Sequence, residues 1–187
     1  MNIVFCLPGK IFSGNFLKSW TSLIFELPKL GINPIISQQY SPLLFYVRNM
    51  CLGGNVLKGI NQKPFDNQFE YDYTMWLDSD MVFKPEDFLK LLKNGEDGKK
   101  IVSGIYPIDS YDYSAVSEWN KEQFLLDGGF KFINKDDLKN GKFKTQPEYP
   151  LMEVPYNGFG FMLIKREVFE SLQYPWFNPH FLVMKNH

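Results

Sequence analysis

The chain has 187 residues, 44% hydrophobic and 22% charged, with 20 basic and 21 acidic side chains and a formal net charge of -1. This length and apolar content suffice for one α/β domain with a packed core and exclude a disordered chain, while the near-neutral balance without a basic run argues against a nucleic-acid partner. Cys6 and Cys51 match no zinc or redox spacing, the start of the chain lacks a signal-peptide pattern, and no apolar run approaches membrane-spanning length, so a soluble, cytoplasmic, non-spanning protein is expected.

In chain order, the apolar run Ile3 to Leu7, stopped by Pro8-Gly9, predicts a buried strand and a loop. Phe16, Leu17, Trp20, Leu23, Ile24, Leu27 and Leu30 recur at helical spacing and predict an amphipathic helix ending near Pro28 and Gly31. Ile32 to Ile36 reads as a strand placed at a sheet edge by Pro34. Ser41-Pro42 reads as a helix start, with Leu43, Leu44, Val47 and Cys51 as the buried stripe and Gly53-Gly54 as the end. Tyr73 to Leu77 is a further strand. Pro85, Glu86 and Asp87 open a helix with Phe88, Leu91 and Leu92 inside, and Ile101 to Tyr106 is again a strand.

This βαβαβαβ order predicts a mostly parallel sheet with helices on both faces. From Pro107 to Pro150 the pattern weakens to loops or short antiparallel strands, with turn signals at Asp127-Gly128-Gly129 and Asn140-Gly141. Phe161 to Ile164 reads as a strand and Lys165 to Leu172 as a short helix. The expectation is a single domain over residues 1–187, with a nucleotide-binding half to residue 106 and an acceptor-side half from 107 to 187.

The strongest chemical feature is Asp78-Ser79-Asp80, directly after an apolar strand and before a capped helix. Residues two apart in an extended chain face the same way, so Asp78 and Asp80 would converge at the carboxyl end of a central strand, where open α/β sheets place ligands. Two carboxylates there suit Mg²⁺ or Mn²⁺, which would neutralise a diphosphate leaving group. The competing reading is an acidic turn between strand and helix.

Leu7-Pro8-Gly9, Arg48-Asn49, Leu77-Asp78-Ser79-Asp80, Ser103-Gly104-Ile105-Tyr106-Pro107 and Asn157-Gly158-Phe159-Gly160-Phe161 follow one another in an order that resembles the GT-A glycosyltransferases, especially family-2-like members. The resemblance implies a GT-A, Rossmann-like fold with a smaller antiparallel portion towards the C-terminal side. It also implies a hexosyltransferase-type enzyme that takes a nucleotide-diphosphate sugar and a glycan, lipid or protein acceptor, with Mn²⁺ or Mg²⁺ as cofactor. Pro8 and Gly9 would lie against the nucleoside. Arg48 would approach the base or the diphosphate, with a solvated helix face as its other reading, and Asn49 would support the same loop. Asp80 would be the principal metal ligand, Asp78 would contact the ribose or the metal, and Ser79 completes the donor motif. Tyr106, Asn157, Gly158, Phe159 and Gly160 would form the acceptor side, where the glycines admit a close approach or mark a simple bulge.

Related enzymes carry an acid after the glycine-rich strand as general base. Here Pro175-Trp176-Phe177 is present but no acid follows Glu170, so the sequence reads as shortened or as taking its base elsewhere, with Glu153 and Asp127 as the catalytic candidates. His180 and His187 are further candidate metal ligands or surface histidines. Tyr106, Tyr156, Trp119 and Trp176 are sugar platforms or core. Two other readings compete: a nucleotide-sugar or glycan binding module without turnover, and a haloacid-dehalogenase-like phosphatase using Asp78 as nucleophile and Asp80 as acid/base.

Overall fold

The computed structural model describes residues 1–108, 112–140, 151–179 and 183–184. In chain order its elements are β1 (Asn2–Pro8), α1 (Gly14–Glu26), β2 (Asn33–Gln39), α2 (Leu44–Cys51), β3 (Tyr73–Leu77), α3 (Pro85–Glu96) and β4 (Ile101–Ser103). They continue with β5 (Asp112–Glu118), α4 (Lys121–Asp127), β6 (Lys131–Asn134), α5 (Lys135–Lys139), β7 (Tyr156–Asn157), β8 (Phe161–Lys165) and α6 (Arg166–Ser171). Backbone contacts divide the chain into two compact units: Met1–Gly104 with Phe159–Pro179, and Ile105–Gly158 with the described C-terminal residues Val183 and Met184.

The first unit is a five-stranded sheet in the order β2-β1-β3-β8-β4. β1 runs parallel to both β2 and β3, while β8 is antiparallel to β3 and β4. The sheet is therefore mostly parallel, with one reversed strand inserted beside the central one. β2 is an edge strand, as Pro34 requires.

Alternation along β1 divides the core between the two faces. Phe5 meets Trp20 of α1 edge to face at 5.2 Å and Phe88 of α3 at 5.8 Å. Val4 and Cys6 join Cys51, Trp76, Met162, Ile164, Phe169 and Trp176 in a cluster on the other face. The fully buried Trp76 donates its indole N–H to Thr74 Oγ1 at 3.0 Å, which satisfies the one polar atom this ring brings into the core.

Several expectations change. Ser41 does not cap α2: its hydroxyl accepts from the N–H of Leu43 at 3.2 Å, and Leu43, in extended conformation, is the residue before the helix. The helical phase thus starts at Leu44. Leu43 and Leu44 are 54% and 56% exposed, and the buried side chains are Val47, Asn49 and Cys51. β4 ends at Ser103, three residues short of Tyr106.

The weakly patterned stretch forms the second unit, an antiparallel sheet in the order β6-β5-β7. It also contains two short helices that its periodicity did not predict. Each begins at an asparagine whose side chain accepts backbone N–H groups: Asn120 from Gln123, and Asn134 from Asp136 and Asp137. Gly128 ends α4 in the left-handed conformation, at φ 72°, which a residue with a Cβ would resist. Gly141 of the other turn signal lies outside the described residues.

Candidate active site

The two aspartates are positioned by the end of β3 against β8. Asp78 donates its N–H to the carbonyl of Gly160 at 3.0 Å, continuing the ladder that pairs Leu77 with Phe161. The extended chain stops there. Met81 N–H donates to the Asp78 carbonyl at 3.1 Å, so residues 78 to 81 form a turn. The alternation expected from an extended strand therefore does not apply to Asp78 and Asp80. The turn leaves Asp78 half-buried and Asp80 exposed, and their charges are still close enough that Asp80 disfavours ionisation of Asp78.

The loop after β1 packs onto this turn. Ser13 donates its N–H to the Ser79 carbonyl at 3.0 Å, while its own hydroxyl caps α1. A Cβ on Gly9 would lie 3.0 Å from Ser79 Cβ, so glycine permits the approach of these two loops. Gly9 is held from the other side by β2: its N–H donates to the Gln39 carbonyl at 2.9 Å, and its carbonyl accepts from the Gln38 amide. Pro8, the last residue of β1, pairs with Gln39.

Arg48 reaches the turn from α2. Its Nη2 lies 3.8 Å from Asp78 Oδ1, and its guanidinium carbon stands 4.5 Å from the centre of the Phe159 ring. With 13% of the side chain accessible, Arg48 is not on a solvated helix face. Phe159 is itself fixed edge to face by Trp76 and Phe177, both at 5.2 Å, so a core-anchored ring sits under a cation that faces a carboxylate. Asn49, 2% exposed, uses its side chain as a clamp. It donates to the carbonyls of Phe45 at 2.9 Å and Phe177 at 2.7 Å, and it accepts from Phe177 N–H at 3.2 Å. Asn49 thus supports the loop behind Arg48 and Phe159.

The family model for glycosyl transferase family 2 matches residues 38–173, from the end of β2 past α6 and across the Asp78 turn. The chain belongs to glycosyl transferase family 2. Its fold agrees with that membership, with a mostly parallel sheet flanked by helices in the first unit and a small antiparallel sheet in the second. No curated protein matches the chain.

In this glycosyltransferase, burial pushes the Asp78 carboxyl above its ordinary pKa, Arg48 pulls it down, and Asp80 pushes it up again. Asp78 thus feels one guanidinium and a second carboxylate, and a further cation beside the two carboxylates would be favourable. Members of the family are often dependent on a divalent metal. Among the described residues no group of three or more His, Cys, Asp or Glu is arranged to hold a metal. Two carboxylates alone do fit Mg²⁺ or Mn²⁺, because such ions take one or two protein carboxylates and complete their shell with substrate phosphate and water. His180 and His187 lie outside the described residues.

The residues expected on the acceptor side are divided between the units. Phe159 and Gly160 belong with the aspartates in the first. Tyr106, Asn157 and Gly158 come together in the second around Ser114, whose N–H donates to the Tyr106 carbonyl and whose carbonyl accepts from Gly158 N–H, both at 2.8 Å. The Ser114 hydroxyl donates to Asn157 Oδ1 at 3.1 Å. A Cβ on Gly158 would stand 2.5 Å from the Tyr106 hydroxyl oxygen, so a larger residue here would displace the end of that side chain.

The two candidate bases also lie in the second unit. Glu153 is exposed on a loop. Asp127 closes the end of α4, accepting from the Gln123 amide and from Gly129 N–H at 2.8 Å. Those bonds, the Gln123 one first, hold its carboxyl below the ordinary pKa, which favours a structural cap over a proton acceptor. Of the aromatic candidates, Trp176 is core at 8% exposure, while Tyr156 and Trp119 are at the surface. Sequence reasoning missed the Phe159 ring under Arg48, for which no local signal exists, and Ser13, which a Ser-x-x helix start could have suggested.

Proposed function

We propose that this glycosyltransferase moves a hexose-type sugar from a nucleotide-diphosphate sugar to an acceptor hydroxyl, with the turn after β3 as its diphosphate site. The observation that carries this reading is the meeting of Asp78, Asp80, Arg48 and the Gly9 loop at the carboxyl ends of β1 and β3. Asp78 and Asp80 would hold Mn²⁺ or Mg²⁺, which supplies charge neutralisation at the departing diphosphate. Arg48, steadied by Phe159 below and Asn49 behind, offers a planar fork to phosphate oxygens. Pro8 and Gly9 bring backbone close to the nucleoside, and Ser79 fixes the spacing of the two loops. The family match covers Asp78 and Asp80, so the pair is read as a donor site and not as a phosphatase nucleophile with its acid.

An acceptor hydroxyl must lose its proton as it attacks the anomeric carbon. Glu153 is the preferred candidate to receive it, because Asp127 is already engaged in its own turn. A cytoplasmic location, read from two cysteines without a disulfide pattern, is part of this proposal. Among the described residues no helix is long and apolar enough to cross a membrane.

Titration calorimetry with UDP and GDP, with and without Mn²⁺, tests the donor site. Wild type is expected to bind one of them in a metal-dependent way, and Asp80→Ala to lose that dependence while keeping its thermal transition. Unchanged binding in Asp80→Ala would reject the metal assignment.

A further inference from the structure

The loop that follows α2 in the first unit turns its apolar side chains outward. Every residue from Asn55 to Asn61 is exposed. Within it Val56, Leu57 and Ile60 are 59%, 89% and 56% exposed, and Leu57 is the most exposed large apolar side chain among the described residues. Single exposed aliphatics are ordinary on a protein surface, but three on one short loop leave apolar area in water that the fold does nothing to hide.

The backbone beneath these side chains is firmly built. Gln62, nearly buried, closes the loop from inside. Its amide donates to the carbonyls of Asn55 at 2.9 Å and Gly59 at 2.6 Å, and its carbonyl oxygen accepts Asn55 N–H at 2.8 Å. Asn55 in turn accepts Leu57 N–H through its side chain at 2.9 Å and Lys58 N–H through its carbonyl at 3.0 Å. Gly59 turns the chain at φ 71°, a conformation that a residue with a Cβ resists. At the base, Phe65 N–H donates to the Leu52 carbonyl at 2.7 Å, and both of those side chains are buried. The loop thus keeps its shape without using Val56, Leu57 or Ile60, and it bonds much of its own backbone internally. Backbone polar groups enter an apolar medium at low cost only when they are already paired in this way.

Charge narrows what the loop fits. Lys58 and Lys63 are the charged residues between Leu52 and Phe65. Lys58 pairs with Asp66, while Lys63 donates to the neutral carbonyl of Glu170 at 3.1 Å and so keeps its positive charge. An aliphatic tip with a cation near its base matches a bilayer, where hydrocarbon lies beneath anionic headgroups. A protein partner fits less well, because a tip of three aliphatic side chains is far below the roughly 800 Å² that each side of a stable complex buries.

We infer that the loop from Asn55 to Asn61 docks this chain on an anionic phospholipid bilayer. Val56, Leu57 and Ile60 enter the apolar layer, and Lys63 adds attraction to the headgroups. The chain lies on the membrane and does not cross it. The inference is independent of the donor site, since neither the loop nor its Gln62 clamp includes a residue assigned to the nucleotide.

The full chain is tested by co-sedimentation with vesicles of phosphatidylcholine alone and of equal parts phosphatidylcholine and phosphatidylserine. Binding is expected to the mixed vesicles, to be weaker to phosphatidylcholine alone, and to fall as salt is raised. Leu57→Ser is expected to weaken it by about tenfold or more, with melting temperature and UDP and GDP titrations as in wild type. Leu17→Ser, which removes an exposed leucine of α1, is expected to leave vesicle binding unchanged. Leu57→Trp is expected to place a fluorophore that brominated acyl chains quench. Failure of wild type to bind the mixed vesicles, equal binding by wild type and Leu57→Ser, or an equal loss in Leu17→Ser overturns the docking loop. A wild-type dimer that ignores vesicles and that Leu57→Ser dissociates also overturns it, and gives the loop to a second copy of the chain.

Discussion

The two units of the chain differ in whether aromatic rings reach the interior. In the first, Phe5, Trp76 and Phe88 are completely buried and Trp176 nearly so, although Phe25, Tyr40 and Phe45 are exposed. In the second, the nearly buried apolar side chains among the described residues are Ala115, Val116 and Ile133, while Trp119 and Tyr156 stay at the surface. A side chain already packed on all sides cannot also hold a ligand. In the proposed donor site the first unit would therefore use charges and loops at strand ends, backed by its packed core. The second has little interior and leans on local bonds such as the Asn120 and Asn134 caps, and its rings pack on one another near the surface.

The widest expected gap tests this contrast directly. Trp76→Ala should destabilise the protein by about 3–5 kcal/mol, the range for removing a large buried ring. Trp119→Ala should cost less, about 1 kcal/mol, because its ring is part-exposed and packs on Phe124 and Phe130 near the surface. Urea denaturation of both variants measures this, and equal losses would abolish the distinction.

A smaller effect is expected at Asn49, one of the buried polar residues of the first unit. Asn49→Ala removes three hydrogen bonds and leaves backbone groups of Phe45 and Phe177 without them. The expected cost is about 2–3 kcal/mol, accompanied by weaker nucleotide binding as the support of Phe159 and Arg48 loosens. Denaturation and calorimetry on one preparation check both, and intact binding would confine Asn49 to stability.

Arg48 sharpens the comparison in the other direction, since a charge at a strand end should matter to the ligand more than to the fold. Arg48→Ala should weaken nucleoside diphosphate binding by about 1.5–3 kcal/mol, as for hydrogen bonds to charged groups. Arg48→Lys should recover only part of it, because an ammonium cannot stack on Phe159 as a planar fork does. Full recovery with lysine would show that charge alone is used.

The smallest effect belongs to the local bonding of the second unit. The Asp127 carboxyl is held below its ordinary pKa by Gln123 and Gly129, so its folded form binds a proton more weakly than its unfolded form. This stabilising contribution is present above the ordinary carboxylate pKa and fades as pH falls through the lower folded value. Asp127→Ala should lower the melting temperature slightly at about pH 6, and the gap should close towards about pH 3. A gap independent of pH would mean that the carboxylate charge plays no part in the cap.

How far the sequence could be read depends on the range of each interaction. Strand β3 was legible to the residue, and β1, α1 and α3 to within a few residues, because periodicity and the Pro85-Glu86-Asp87 start are local signals. The position of Asp78-Ser79-Asp80 after an apolar strand was equally local. Its geometry was not, since the turn closed by Met81 N–H replaced the expected extended alternation.

Tertiary pairing alone decided that β8 enters the sheet antiparallel between β3 and β4, that Phe159 lies under Arg48, and that Asn49 clamps Phe177 from 128 residues away. It also decided which rings are core and which are surface. Trp176 and Trp119 are the same residue type, and the layers packed around each leave one at 8% exposure and the other at 44%. Composition sets how many rings a chain must place, but burial depends on distant segments covering them, and local sequence carries no record of that cover.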